Sequence, residues 1–458
     1  MNNKKMLHGL LAVILGMALV LPQISFAATP TSNTSTSWMD TATIYEVNVR
    51  QYTKEGTFNA FSKHLTRLSR MGIKVLWFMP IHKISVANRK GSLGSYYAVA
   101  DYKSVNPEFG TKEDFKALVD YAHSLGFKVV LDWVANHTGM DNVWTVNKSW
   151  YSLGPNGELM PPTGTDWTDV AELNYDNPDM RAAMIDAMKY WVKDFGIDGY
   201  RCDVAGNVPN DFWQTAIKQL RTIKPVFMLA EANNNKALLQ TGFNADYGWE
   251  MLGVMNKIGL ELADSYDVEQ AMANQADNYP AGKYPMQFIT NHDENSWNGT
   301  EYERLGDAVV PLTALSFTIP GMPLIYSGQE SAFKRRLAFF EKDQIDWGNY
   351  SQSVLFAKLT ELKRNNKALW NGSAGGPYKA IPSSNAKVLT FERNKGTNRV
   401  VVVMNLSSKA QKAKVTFGAS AGKYKVFTAT KMPSTKPITL AKSQTVSLKP
   451  WAYEIYTK

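Results

Sequence analysis

Short apolar, β-branched runs recurring between amphipathic stretches leave this chain few ways to fold. The runs are IYEVNVRQY (44–52), KVLWFMPI (74–81), KVVLDWVAN (128–136), GYRCDV (199–204), VFMLAE (226–231), QFITNHDE (287–294) and MPLIYSGQE (322–330). Between them lie segments of helical period such as TKEDFKALVDYAHSLG (111–126) and NPDMRAAMIDAMKYWVKDFG (177–196). The second opens at an Asn-Pro and closes at Gly196, the punctuation of a helix. Strands alternating with helices predict a parallel sheet with crossover helices. With a weaker sixth strand placed near NADYGW (244–249), the pattern is that of an α/β fold, an eight-stranded (β/α)8 TIM barrel.

The barrel is expected over 38–374. One connection is too long for a simple crossover: residues 138–176, rich in Trp, Gly, Pro and Asn, read as a small insert after strand three, running over the strands' C-terminal face. From 375 to 458 the pattern changes to alternating apolar and polar runs with turns, an antiparallel C-terminal sheet domain. At the other end, Lys4 and Lys5, an apolar run and the small residues Ser25 and Ala27 match a secretory signal peptide (1–27) cleaved after Ala27, followed by a polar linker over 28–37. A secreted, extracellular product with no membrane span is expected, since no later apolar run is long enough to cross a bilayer. With a single cysteine the chain has no internal disulfide, so its stability rests on core burial. The net charge of +9 is scattered among acids, which argues for a solvated surface and against nucleic acid as a partner.

In a parallel barrel the chemistry sits where the strands end. The ends offer His137, Arg201, Asp203, Glu231, His292 and Asp293. Each alone reads as a cap or a satisfied polar residue. Three carboxylates and two histidines converging from several strands are harder to explain as structure, because grouped acids repel. Carboxylates on adjacent strands suit glycoside cleavage by a nucleophile and a proton donor. Arg201 beside Asp203 should hold that carboxyl ionised, and the apolar context FMLAEA should desolvate Glu231 and raise its pKa. Cys202, pointing to the other side of the strand, should be inert packing.

Four segments in order, DWVANH (132–137), GYRCDVAGN (199–207), LAEA (229–232) and FITNHD (288–293), resemble the α-amylase family of glycoside hydrolases, glycoside hydrolase family 13. YAVADYKSVNPEFGT (97–111) and GMPLIYSGQE near the eighth strand extend the likeness over nearly all of the chain after the leader. The resemblance implies a (β/α)8 barrel, an insert after strand three and a C-terminal β-sandwich. It makes Asp203 the nucleophile, Glu231 the acid/base and Asp293 the carboxylate that binds sugar hydroxyls. It gives Arg201 the task of orienting Asp203, His137 and His292 that of binding hydroxyls, and Tyr97 that of stacking beneath the sugar. The expected activity is retaining, endo-acting cleavage of α-1,4 bonds in starch-like α-glucans and maltooligosaccharides by a monomer. An exo-acting α-glucosidase, a transglycosidase and a non-catalytic sugar binder are the alternatives, and Val204 after the nucleophile also occurs in relatives that cut α-1,6 bonds. No cofactor is required for the chemistry. Ca2+ stays open: at the family's calcium positions this chain has Asn136, Asn174 and, four residues after the nucleophile, Asn207, a set poor in the carboxylates calcium prefers.

Overall fold

The computed structural model describes residues 37–232, 235–428 and 436–458. The signal peptide and all but the last residue of the linker lie outside them. Eight strands close a parallel barrel in chain order: β1 Ile44–Val47, β2 Val75–Phe78, β3 Lys128–Val134, β4 Gly199–Asp203, β5 Phe227–Ala230, β6 Ala245–Tyr247, β7 Tyr284–Gln287 and β8 Met322–Tyr326, which pairs back onto β1. The weak sixth strand is present. Several strands end sooner than the apolar runs suggest, and the seventh is displaced, running from Tyr284 and sharing only Gln287 with the run QFITNHDE. β1 stops at Val47 because the Asn48 side chain accepts from Gln51 N and starts a short helical turn. β7 stops at Gln287, so Phe288 to Asn291 form the loop beyond it and His292 and Asp293 open the helical turn that follows, where Asn291 Oδ1 accepts from Glu294 N at 2.8 Å.

Period-two alternation divides the strand residues between two cores. Val75, Trp77, Val130, Phe227, Leu229, Tyr247, Met286 and Leu324 fill the barrel interior. Leu76, Phe78, Leu131, Trp133, Tyr200, Cys202, Met228 and Ile325 face the surrounding helices. On β4 this puts Tyr200 and Cys202 outward and Arg201 and Asp203 inward. The helix Lys112–Ser124 starts at a Thr111/Asp114 capping box, and Pro178–Tyr190 starts at Asn177 with Pro178 in its first turn, as the sequence punctuation predicts. The insert leaves as His137–Gly139, pairs antiparallel with Val170–Glu172 on its return, and carries short turns between.

Two C-terminal sheets, a six-stranded one and a two-stranded one, follow as the antiparallel domain. The former contains β9 Tyr378–Ala380, β10 Val388–Lys395, β11 Asn398–Asn405 and, after the two-stranded pair's elements, the closing strand Tyr453–Thr457. Alternation fails in β11: Val400 to Val403 are all fully buried. Val400 and Val402 face the barrel's helical layer, while Val401 and Val403 face the two-stranded sheet Gln411–Val415/Gln444–Leu448. A strand covered on both sides reads as a continuous apolar run. The fully buried Arg393 crosses this junction, donating to the carbonyls of Ile319 at 3.0 Å, Trp370 at 3.0 Å and Gly376 at 2.8 Å.

One backbone approach sets the position of β4. A Cβ on Gly199 would sit 1.9 Å from the Phe227 carbonyl oxygen, so only glycine lets β4 and β5 enter the barrel side by side. Gly199→Ala should destabilise the fold by about 1–3 kcal/mol or more, measured by denaturant unfolding. A change within 0.5 kcal/mol would mean that the strands part without cost.

Candidate active site

Arg201 is the middle residue of β4 and stands in cross-strand register with Asp132 of β3. Its guanidinium is fully buried at the top of the barrel core. Nη1 lies 2.8 Å from Asp132 Oδ1 and 3.1 Å from Asp203 Oδ1, and Nε donates to the Tyr247 hydroxyl at 3.0 Å. Nη2 lies 2.8 Å from Glu231 Oε2, an ion pair whose N–H bonds do not point along the contact. The rings of Trp77, Tyr97 and Tyr247 surround the cation at 5.2 to 5.7 Å.

Glu231 Oε2 accepts instead from Val204 N at 2.8 Å. Val204 reaches it by adopting φ 33°, ψ 45°, a left-handed conformation that a β-branched residue adopts only under constraint. The apolar neighbours of Glu231 in the sequence therefore do not form its surroundings, because the carboxylate turns toward Arg201 and the Val204 amide.

A second buried cation stands opposite. Burial alone would lower the His292 pKa, but Asp293 and Glu46 raise it well above its ordinary value. Nδ1 lies 2.5 Å from Glu46 Oε1, and Nε2 lies 3.2 Å from Asp293 Oδ2 and 2.8 Å from the Tyr97 hydroxyl, which donates to Asp132 Oδ2 at 3.0 Å. For Asp293 burial works upward, but His292, followed by Arg201, holds the carboxyl below the usual range. His137 is neutral: burial pushes it down to about 4 and a bond to the Tyr97 backbone restores only part of this.

The expectation that Arg201 holds the Asp203 carboxyl at a lowered pKa is overturned, although Arg201 does act in that direction. Burial raises it, Arg201 opposes, and Glu231, Asp132 and Asp293 add to the rise, so the net displacement is well upward. One cation shared among several acids does not offset their repulsion and desolvation together.

Tyr97, His137, Asp203, Glu231, His292 and Asp293 line one cavity of about 570 Å3, with Arg201 beneath them. Trp297, Phe339 and Phe340 form one wall. The other is the 86–95 loop, whose Lys90 pairs with Asp169 of the insert at 3.4 Å. The calcium candidates do not join this group. Asn136 Nδ2 lies 3.2 Å from His137 Nδ1, Asn174 donates to Ser149 O and accepts from Asp176 N, and Asn207 is exposed. Among the described residues no group of three or more His, Cys, Asp or Glu could hold a metal. Asn174 is already engaged through both its amide atoms, and among the described residues no cluster of carboxylates joins the three asparagines, a set poor for calcium. The insert's root is held instead by tyrosines: Tyr102 donates to the carbonyls of Val134 at 2.6 Å and His137 at 2.9 Å, and Tyr175 to that of Ala135 at 2.6 Å.

Sequence reasoning missed Glu46, Asp132, Trp77 and Tyr247. The available signal was the one that found Arg201, a lone ionisable residue inside an apolar strand, as in IYEV and VVLDWV.

The family model of the alpha amylase catalytic domain matches residues 20–155 and 164–368, and that of the maltogenic amylase C-terminal domain matches 378–455. A noncanonic maltogenic alpha-amylase from Thermotoga neapolitana superposes with a TM-score of 0.81 at 28% identity, over 92% of this chain and 99% of that one. An alpha-amylase from Lactobacillus plantarum gives 0.80 at 28%, over 92% and 99%. An alpha-amylase of Haloarcula japonica is 26% identical over 81% of this chain, which covers 56% of that relative. The chain spans about half to two thirds of the length of the curated relatives it matches.

Two outcomes check the site's energetics. A carboxyl whose folded pKa lies above its unfolded one binds its proton more tightly when folded, so its stabilising contribution is present below the unfolded value and lost as pH rises through the folded one. Asp203→Asn should therefore stabilise the protein at neutral pH by about 0.5–2 kcal/mol, with the gain shrinking toward zero below about pH 4. A variant less stable than the parent at neutral pH would show the Arg201 attraction to be the larger effect. A chelator should leave the melting temperature nearly unchanged, since a tight occupied site would add stability with the logarithm of ligand excess. A large drop reversed by added calcium would show that a site was misjudged.

Proposed function

We propose, from the premise that this chain belongs to the alpha-amylase family, that it is a retaining glycoside hydrolase acting on α-1,4 bonds of starch-like glucans and maltooligosaccharides. The observation that carries the reading is that one guanidinium reaches both Asp203 and Glu231. Two carboxyl groups gathered on one cation suit a retaining glycosidase, whose nucleophile and proton donor stand roughly 5–5.5 Å apart.

Asp203 attacks the anomeric carbon in its ionised form, so its raised pKa governs the acid limb of activity; the bond to the glycosidic oxygen breaks and Glu231 gives that oxygen its proton. Glu231 Oε2 is engaged by Val204 N and Arg201, so the proton to be transferred sits on Oε1. Water then attacks the anomeric carbon of the ester, losing its proton to Glu231 and freeing Asp203. Two inversions restore the α configuration. Asp293, with His292 and the neutral His137, binds hydroxyls of the sugar at the cleavage point, and the half-buried Tyr97 ring, stacked toward His292 and Phe339, supports it.

Endo cleavage is the first reading of the mode. A maltogenic mode is the second, favoured by the match of residues 378–455. We extend the proposal to export after cleavage at Ala27, on the leader pattern alone.

Time-resolved products from soluble starch distinguish the modes: early mixed oligosaccharides mean endo cleavage, maltose from the outset the maltogenic mode, and glucose alone an exo α-glucosidase. The first product should be the α-anomer by NMR, and a β-anomer would refute double displacement. Asp203→Ala should remove nearly all turnover. Glu231→Gln should lose most on glucans but less on substrates whose leaving group needs no proton; equal losses would refute the donor role.

A further inference from the structure

A second cavity, of about 460 Å3, lies between the barrel wall and the helices Trp249–Gly259 and Ser265–Asn278, and the mechanism above does not use it. On β3 to β5 the outward strand positions facing the helices are apolar, with Trp133, Tyr200, Cys202, Met228 and Ala230 all in the main core. On β6 and β7 the corresponding positions are Asp246 and Gln287, both buried. Asp246 is satisfied by Lys236 Nζ at 2.5 Å and by the Tyr279 hydroxyl.

Gln287 is not satisfied. Its Nε2 donates to Gln275 Oε1 at 3.2 Å and to Pro320 O at 3.0 Å, two acceptors that fix which way the amide points. Oε1 is then left fully buried with no partner, and it requires a donor from whatever enters. Gly248 packs close to that oxygen, since a Cβ there would sit 2.9 Å from Oε1 and press on the amide. The same glycine is the N-cap of the helix Trp249–Gly259 and offers no capping side chain, so the first amides of that helix remain as donors. The half-buried Trp249 ring, stacked on Tyr247 at 5.0 Å, adds a flat apolar face.

We propose that this cavity is a second saccharide site, taking a mono- or disaccharide of the size of glucose or maltose. A sugar hydroxyl donates to Gln287 Oε1, Lys236 and the helix amides donate to sugar oxygens, and the less polar ring face lies on Trp249. Lys236 is already neutralised by Asp246 at 2.5 Å and Glu250 at the mouth accepts from Asn274, so the lining offers no free cation to an anion and suits a neutral polar ligand. The volume falls within the roughly 300–1,000 Å3 of small-molecule sites. Tyr247 borders this cavity and its hydroxyl accepts from Arg201 in the cleft, so one residue of β6 stands between the two sites. Choosing a saccharide among neutral ligands rests on the glucan-hydrolase reading.

The test is ligand-observed NMR titration of maltose and glucose into Glu231→Gln, repeated with Asn274→Trp or Asn278→Trp added. Both asparagines are exposed at the cavity mouth, so a tryptophan closes it from outside the core. Two sites should be seen in Glu231→Gln, and one of them should weaken at least tenfold in each double variant. Asn274→Trp alone should keep the parent's kcat/KM on maltooligosaccharides. A parent that hydrolyses glucans while Glu231→Gln shows a single site, or two sites that survive both mouth variants, overturns the inference and leaves the proposed function standing. A parent that turns over no glucan, with a binding event still lost in the mouth variants, overturns the function and keeps the site.

Discussion

Everything in the cleft is arranged around one buried positive charge. A guanidinium withdrawn from water costs several kcal/mol unless it is fully compensated, and Arg201 is compensated from three strands, by Asp132 of β3, Asp203 of its own strand and Glu231 just past β5. Its remaining Nε donates to Tyr247 at the end of β6. Removing any one of these partners leaves the others over-paired or under-paired, so the network fixes the relative positions of four strand ends.

The network compensates the cation with more negative charge than it needs. Among the described residues, the carboxyl groups of Glu46, Asp132, Asp203, Glu231 and Asp293 share two buried cations, Arg201 and His292. The consequence appears in Asp203, whose carboxyl is pushed up by burial and by its acidic neighbours against Arg201. Such a site is poorly satisfied at rest and better satisfied when positive charge appears at its centre. On the proposed function, the oxocarbenium-like transition state of glycoside cleavage would carry that charge. Fixed carboxylates aimed at where charge develops supply electrostatic preorganisation, and the stability lost in holding them together is the cost of that arrangement.

The barrel was legible because parallel strands buried on both faces and separated by capped helices leave a strong pattern, and even the weak NADYGW strand is Ala245–Tyr247. Strand ends were less legible. Apolar period continues through Phe288 and Ile289, yet β7 ends at Gln287, where Asn291 takes over the loop's hydrogen bonding. In the site, the residues that end strands were readable by type, whereas Glu46 and Asp132, which lie inside them, were not given roles. The direction of the Asp203 shift was misread because a pairwise view sees Arg201 two residues away, and only the fold brings Asp132, Glu231 and Asp293 to the same place. β11 was misread as alternating because the sequence does not tell that the barrel's helices cover the far face of the sheet.

The left-handed Val204 shows how the backbone contributes to the same electrostatics. A β-branched residue at φ 33° is held there only if the surroundings over-determine it. Two of them do so here. Asp203 before it is anchored to Arg201, and Ala205 after it belongs to a tight turn whose carbonyl accepts from Trp213 Nε1 at 3.0 Å. Between those fixed points the chain must turn sharply, and the turn sends the Val204 N–H to Glu231 Oε2. The strain is thus spent on binding one oxygen of Glu231 to the strand that carries Asp203. A glycine at 204 would adopt the turn without strain but would also leave it freely, and the oxygen that Val204 holds would lose its fixed donor.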